Sequence, residues 1–421
     1  MLEFSKELEK LSHETEKELF PVFQKIEQRA FFNQKKVLEA FREERVSTEC
    51  FNPTTGYGYD DMGREVLDRI FARVFEAESA FVRHSILSGT HALTIGLFGL
   101  LRPGDTMLSI AGCPYDTLKS VIGIEGEEGS GSLLDFGVRY EEIALKEDST
   151  LDEEALLTRL QKEDVKMVYL QKSPGYSTRR PLGNHIVKKA KELIEKTGSK
   201  AFLVIDNCYA EFCEEHEPCY YGADLCIGSL IKNPGGGMAE CGGYLAGTKK
   251  AIDLCAARFS CPGIGLEIGA SLGNTKAMFK GLFYAPHTVS QAMKTAVFSA
   301  GLFEKLGYTV IPGALEERFD IVQQISLLAG DKVEAFCRGL QSASPVDSYV
   351  TPIPWAMPGY QDPVIMAAGA FVSGSSIELS ADGPIKPPYS VYFQGGMTWP
   401  HAKLGILRTL QNMLDRHLIQ L

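Results

Sequence analysis

Residues 201–212, AFLVIDNCYAEF, end an apolar run on Asp206, and 26 residues after that aspartate the stretch 228–237, GSLIKNPGGG, carries Lys232. Short apolar runs bounded by Gly, Pro and Asn read as buried strands. In open α/β sheets functional groups collect beyond the carboxyl ends of the strands. AFLVID delivers Asp206 to such an end, and DLCIGSL (224–230) brings Ser229 and Lys232 to another. An aspartate there is ordinarily a loop cap and a lysine in a Gly/Pro turn a solvated charge. The flanking sequence decides between these readings and a site.

Around these stretches strands and helices alternate. GREVLDRIFARVF (63–75) and SGTHALTIGLFGLL (88–101) read as helices, and a turn at RPGD (102–105) precedes the strand TMLSI (106–110). The strand KMVYLQKS (166–173), the helix HIVKKAKELIEKT (185–197) and the strand GGYLAG (242–247) continue the pattern. Ile186, Ala190, Leu193 and Ile194 share one face of their helix. Such alternation predicts an α/β fold with a mainly parallel central sheet covered on both faces. Residues 1–50 are charged and helix-forming, with Pro21 as an interruption and Leu19, Phe20, Phe23 and Ile26 as a docking face: a helical N-terminal arm. We expect a large domain over 51–285 and a smaller C-terminal α+β domain over 286–421. The latter holds helices in VSQAMKTAVFSAGLFEKLG (289–307) and HAKLGILRTLQNML (401–414), and a strand in GAFVSGSSIELS (369–380).

With 421 residues the chain exceeds what one core serves, hence the two lobes. No apolar run reaches the roughly 18 residues of a membrane helix, and the acidic N-terminus is unlike a secretory signal, so the expected location is the cytoplasm. A net charge of −11 without a dense basic cluster argues against nucleic acid. Ten scattered cysteines do not make a disulfide framework. Cys208, Cys213, Cys219 and Cys226 lack the close pairs that structural zinc favours, and no metal is assigned.

Ser88 can cap the helix that follows it, leaving the N–H groups of Gly89 and Thr90 as an anion site. Tyr115, in GCPYDT after the strand TMLSI, can stack on a flat ring. Phosphate loop, aromatic, acid and lysine thus occur in order, which matches what pyridoxal 5'-phosphate requires: a lysine for its aldehyde and a carboxylate for its ring nitrogen. His91 lies in the phosphate loop, whereas His287 reads as a turn or cap residue.

GYGYDDMGREVLDRIFARVF (56–75), QKSPGYSTRRPL (171–182), DNCYAEF (206–212), GSLIKNPGGG and YFQGGMTWPHAKLGI (392–406) resemble the methionine γ-lyase-like group of fold-type I pyridoxal-phosphate enzymes labelled aluminium-resistance proteins. These are relatives of the cystathionine lyases, and the resemblance runs from about residue 50 to the C-terminus. It implies Lys232 as the Schiff-base lysine, Asp206 on the pyridinium nitrogen, and Gly89, Thr90 and Ser229, beside Ser88, on the phosphate. It also implies Tyr115 over the ring; a phenol beside a cationic system can have its pKa lowered, which makes Tyr115 the expected proton donor to the leaving sulfur. Tyr57 and Tyr59 correspond to groups that reach a neighbouring subunit's phosphate, within a homotetramer of dimers that share active sites. The related lyases bind the substrate carboxylate with a C-terminal-lobe arginine, absent from residues 375–396. Arg179, Arg180 and Lys386 are the substitutes. The implied reaction is β- or γ-elimination on a sulfur-containing amino acid, releasing a thiol, ammonia and a 2-oxo acid. An aminotransferase on the same fold, or a metal-binding tolerance protein, is the alternative.

Overall fold

The computed structural model describes residues 3–357 and 360–421. Helix α1 (Lys6–Glu43) is capped by Ser5, whose hydroxyl accepts the Leu8 N–H at 3.2 Å. It runs straight through Pro21, where an interruption was expected. Proline removes one helical hydrogen bond, but a stripe of buried residues at helical spacing, Leu8, Leu19, Phe23, Ile26 and Val37, holds both halves against the body. The helix Thr275–Lys305 packs against α1 so closely that a Cβ on Gly301 would lie 2.9 Å from Leu19 Cδ1. That helix also passes unbroken through residues 285 and 286, so His287 lies inside it and not in a turn.

After α2 (Met62–Val74) comes the strand β1 (Ser79–Arg83), followed by α3 (Gly89–Leu100) and β2 (Thr106–Ser109). The strands β3 (Arg139–Glu142), β4 (Val165–Gln171), β5 (Phe202–Asp206), β6 (Leu225–Ser229) and β7 (Gly243–Gly247) complete a seven-stranded sheet of order β1-β7-β6-β5-β4-β2-β3. Only β7 runs against the rest. Crossover helices leave β4 to β6 buried on both faces, which is why they read as unbroken apolar runs.

Five antiparallel strands, β8 (Thr309–Ile311), β9 (Gln323–Ser326), β10 (Val364–Ala367), β11 (Ser380–Pro384) and β12 (Ser390–Gln394), form a second sheet of order β10-β11-β12-β9-β8. The helix Gly330–Gln341 packs against it, and the helix Trp399–Asp415 packs against that helix. The strand expected over 369–380 is absent: the chain is turns until Ser380. The Glu378 carboxylate takes the N–H groups of Phe371 and Val372 at 2.9 and 3.0 Å, folding the segment back on itself and removing those donors from any ladder. Among the described residues no helix is long and apolar enough to cross a membrane.

Candidate active site

Four segments converge on a cavity of about 310 Å³. At the end of β5, Asp206 is buried; its Oδ1 accepts the Cys208 N–H at 3.1 Å and its Oδ2 faces the Tyr169 hydroxyl at 3.4 Å. β6 ends on Ser229, and Lys232 follows, with its Nζ inside the cavity 3.9 Å from the centroid of the Tyr209 ring. Tyr209 itself sits at φ 72°, a conformation a bulky residue rarely adopts. The three glycines after Lys232 have a steric reason. A Cβ on Gly235 would lie 1.6 Å from the Leu230 carbonyl oxygen, and one on Gly236 would lie 2.3 Å from that of Gly281. Only bare backbone can double back here between β6 and the long helix.

The third segment is the start of α3. Ser88 caps it through the His91 N–H at 3.1 Å, and no residue within the helix can accept the N–H groups of Gly89 and Thr90. A Cβ on Gly89 would stand 3.4 Å from Cys208 Sγ and 3.5 Å from Ser229 Cβ, so this helix end faces the strand ends directly. The Ser229 hydroxyl beside it is buried without a hydrogen-bond partner. A buried orphan hydroxyl next to free helix N–H groups suits a phosphate. The fourth segment carries Tyr115, held by a bond from its N–H to Gln171 Oε1 at 3.0 Å. Its hydroxyl meets Thr90 Oγ1 at 3.0 Å, which in turn meets Thr117 at 3.1 Å.

Burial dominates the electrostatics. It pushes the Asp206 carboxyl up, against the pull of Lys232 and the Cys208 N–H. Burial alone would push the Lys232 ammonium down, but the polar groups packed around it, the Asp206 carboxyl among them, reverse the direction. The Tyr115 phenol is driven up by burial and by the charge of Asp206, contrary to the lowered value expected from the sequence. The chain around it supplies more negative charge than positive, so Tyr115 keeps its proton.

Ser88, Gly89, Thr90, Tyr115, Asp206, Ser229 and Lys232 therefore come together, and the other sequence candidates do not join them. Tyr57 and Tyr59 project into solvent with rings 5.6 Å apart. Arg179 lies behind the cavity wall, its two terminal nitrogens bonded to the carbonyls of Gln171, Lys172, Ser173 and Arg180 at 2.7–3.1 Å. Arg180 pairs with Glu316 at 2.6 Å and Lys386 with Asp362 at 2.9 Å, both outside the cavity. His91 accepts the Leu87 N–H through Nδ1 at 3.1 Å and does not line the cavity. Among the described residues no three His, Cys, Asp or Glu side chains form a metal-binding group. Sequence reading missed Tyr176, Tyr209, Tyr360 and Asp382, which form the wall opposite α3. Asp382 comes from β11, and no local signal joins it to loops some 200 residues earlier.

Residues 8–414 match the family model for methionine γ-lyase. The Bacillus subtilis protein YnbB is 46% identical over 98% of both chains. The crystal structure of a carbon–sulfur lyase involved in aluminium resistance from Clostridium novyi superposes with a TM-score of 0.94 at 45% identity, covering 97% of this chain and 96% of that one. At the level of fold alone, the pyridoxal-5'-phosphate-dependent protein YhfS of Escherichia coli matches with a TM-score of 0.61 at 15% identity, over 93% and 97% of the two chains. Fold and kinship define an enzyme that cleaves carbon–sulfur bonds. The chain belongs to the methionine γ-lyase family, which implies pyridoxal phosphate as its cofactor.

Proposed function

We propose that the cavity around Lys232 binds pyridoxal phosphate and carries out elimination on a sulfur-containing amino acid, releasing a thiol, ammonia and a 2-oxo acid. One observation carries this reading: a buried lysine shares its cavity with a buried aspartate and with an open helix N-terminus beside a partnerless serine hydroxyl. The N–H groups of Gly89 and Thr90 and the Ser229 hydroxyl hold the phosphate, and Ser88 fixes the helix end that presents them. Asp206 keeps a proton on the ring nitrogen. Bound there, the cofactor supplies an electron sink for the charge left at Cα. Lys232, as a free amine, takes the Cα proton. Tyr115 covers the ring and offers its hydroxyl to the departing sulfur as a hydrogen-bond donor.

The wider reading is a fold-type I enzyme with a helical arm, a large cofactor domain and a small C-terminal domain, acting in the cytoplasm. Ten free thiols support a reducing compartment. Tyr57 and Tyr59 serve the neighbouring chain's phosphate within a tetramer of dimers; their exposure on a firmly held loop supports this. The test is spectroscopic and chemical. Protein mixed with pyridoxal phosphate should gain a visible band that borohydride removes, leaving the label on Lys232, and should release a thiol from a sulfur amino acid. Label on another lysine, or amino-group transfer to an added oxo acid without thiol release, would overturn it.

A further inference from the structure

The cavity wall facing α3 carries charge of the wrong sign for a carboxylate. Among the described residues that line the cavity, Lys232 is the sole cation, against the carboxylates of Asp116, Asp206 and Asp382. Asp206 faces Lys232, and Asp116 at the mouth pairs with Lys119 at 2.9 Å. Asp382 feels the charge of Lys232 across the cavity but forms no salt bridge of its own among the described residues. It accepts Gln394 Nε2 at 3.3 Å, and among the described residues no cation stands within salt-bridge distance of it.

Its position is rigid. β11 is an interior strand, and Asp382 pairs in register with Met366 on one side and Tyr392 on the other. The Tyr392 hydroxyl donates to the Tyr176 carbonyl at 2.8 Å, tying this strand pair to the loop that lines the cavity. The Tyr176 ring packs at a tilt 5.5 Å from that of Tyr360 and 5.0 Å from that of Tyr392, centroid to centroid. A carboxylate among phenol rings attracts a cation twice over, through charge and through the ring faces. A metal ion would need several oxygen ligands, and the described residues bring no cluster of that kind together.

We propose that Asp382, with Tyr176, Tyr209 and Tyr360, forms a subsite for a positive charge on the substrate's leaving group, so that the preferred substrates are thioethers bearing a distal ammonium. The reaction itself rests on the lyase reading above; the binding preference does not. For such a substrate the carbon–sulfur bond breaks with its electron pair going to sulfur. S-(2-aminoethyl)cysteine and water then give 2-aminoethanethiol, ammonia and the three-carbon 2-oxo acid. Burial holds the Asp382 carboxyl up at about 6, opposed first by the Gln394 amide and less by Tyr176 and Lys232. Tyr209, Tyr360 and Asp116 are the other titratable groups facing it, and Cys337 lies behind the strand. All three phenols are themselves pushed up and stay neutral in that range.

The experiment compares S-(2-aminoethyl)cysteine with S-propylcysteine, nearly identical in shape and differing in the terminal charge. The cofactor-loaded enzyme should favour the charged compound by at least about tenfold in kcat/KM, mostly through KM. Asp382→Asn should bring the ratio near one, and Asp382→Glu should keep part of it. The ratio should also grow as pH rises through about 6. Calorimetry on the Lys232→Ala chain reads the same preference in binding, independent of turnover. No preference in the unsubstituted protein, or equal losses on both compounds in Asp382→Asn, overturns the subsite. If neither compound releases a thiol while binding still discriminates, the subsite stands and the lyase reading falls.

Discussion

Gly89 approaches Lys232 closely enough that a Cβ at position 89 would stand 3.9 Å from the lysine Nζ. The same Cβ would meet only ordinary contacts, at 3.4 Å to Cys208 Sγ and 3.5 Å to Ser229 Cβ. Gly89→Ala should therefore leave the fold intact, with stability within about 1 kcal/mol, because alanine suits a first helical turn better than glycine. The added methyl stands between the helix N–H groups and a phosphate, so affinity for pyridoxal phosphate should fall by at least about tenfold. Absorbance titration beside a thermal melt separates the two effects. Unchanged affinity would remove Gly89 from the phosphate site.

Ser229→Ala gives opposite signs with and without cofactor. The hydroxyl is buried and partnerless, so deleting it should leave the cofactor-free protein equally stable or slightly more stable. In the loaded protein the deletion removes a hydrogen bond to a charged group, about 1.5–3 kcal/mol. The rise in melting temperature on adding pyridoxal phosphate should shrink accordingly. A variant that melts lower without cofactor and gains the same increment would show that the serine is structural only.

The half of the site that could be read from the sequence is the half built by the parallel sheet. Strand ends concentrate functional groups, so Asp206, Ser229 and Lys232 announced themselves by following apolar runs, and Ser88 by its capping position. The opposite wall had no such marker. Asp382 lies mid-strand in a sheet whose partners are set by tertiary packing, after a Ser- and Gly-rich segment that sequence reading took for a strand. Arg179 misled for a different reason: guanidinium groups bind carboxylates, but equally staple a loop through its carbonyls. Pro21 misled because propensity weighs single residues, while the buried stripe of α1 acts over the helix's whole length.

Asp206→Asn should weaken the electron sink without emptying the site. Burial already works against the carboxylate, and an amide cannot hold the ring proton by charge. Exchange of the substrate Cα proton, followed by NMR in deuterated buffer, should slow by on the order of 100-fold. Near-normal exchange would mean that another group governs the ring nitrogen.

Asp320 gives a pH dependence whose sign can be worked out. It is fully buried, accepts the Ser173 hydroxyl at 2.8 Å and the Val322 N–H at 3.1 Å, and burial raises its pKa to about 6. The unfolded chain releases this proton near 4. Between about 4 and 6 the native state thus binds more protons than the unfolded one, so its contribution to stability falls as pH rises through that window and is flat above it. The fall amounts to about 3 kcal/mol at most. Asp320→Asn should remove this slope in denaturant titrations. Parallel stability curves for the two proteins would rule the assignment out.

Tyr57 and Tyr59 stand on a loop that is anchored within its own chain yet directs both rings outward. Arg64 Nη1 reaches the carbonyls of Gly58 and Gly269 at 2.7 and 2.9 Å, and the Gly269 N–H donates to the Tyr57 carbonyl at 2.8 Å. A Cβ on Gly58 would lie 2.6 Å from Ala270 Cα, so the backbone there fits only as glycine. Fixing a loop this firmly around two solvent-facing phenols makes physical sense if the hydroxyls have a charged acceptor on another chain. In a symmetric dimer the arrangement is reciprocal. A Lys232→Ala chain and a chain with both tyrosines changed to Phe should then each be nearly inactive. Mixed after partial dissociation and reassembly, they should regain activity. In the hybrid dimer one site collects both defects and the other has none, so activity should approach a quarter of that of the unsubstituted protein when equal amounts exchange freely. If mass spectrometry verifies subunit exchange and no activity returns, the tyrosines do not serve a neighbouring site, and sharing of active sites between chains falls with them.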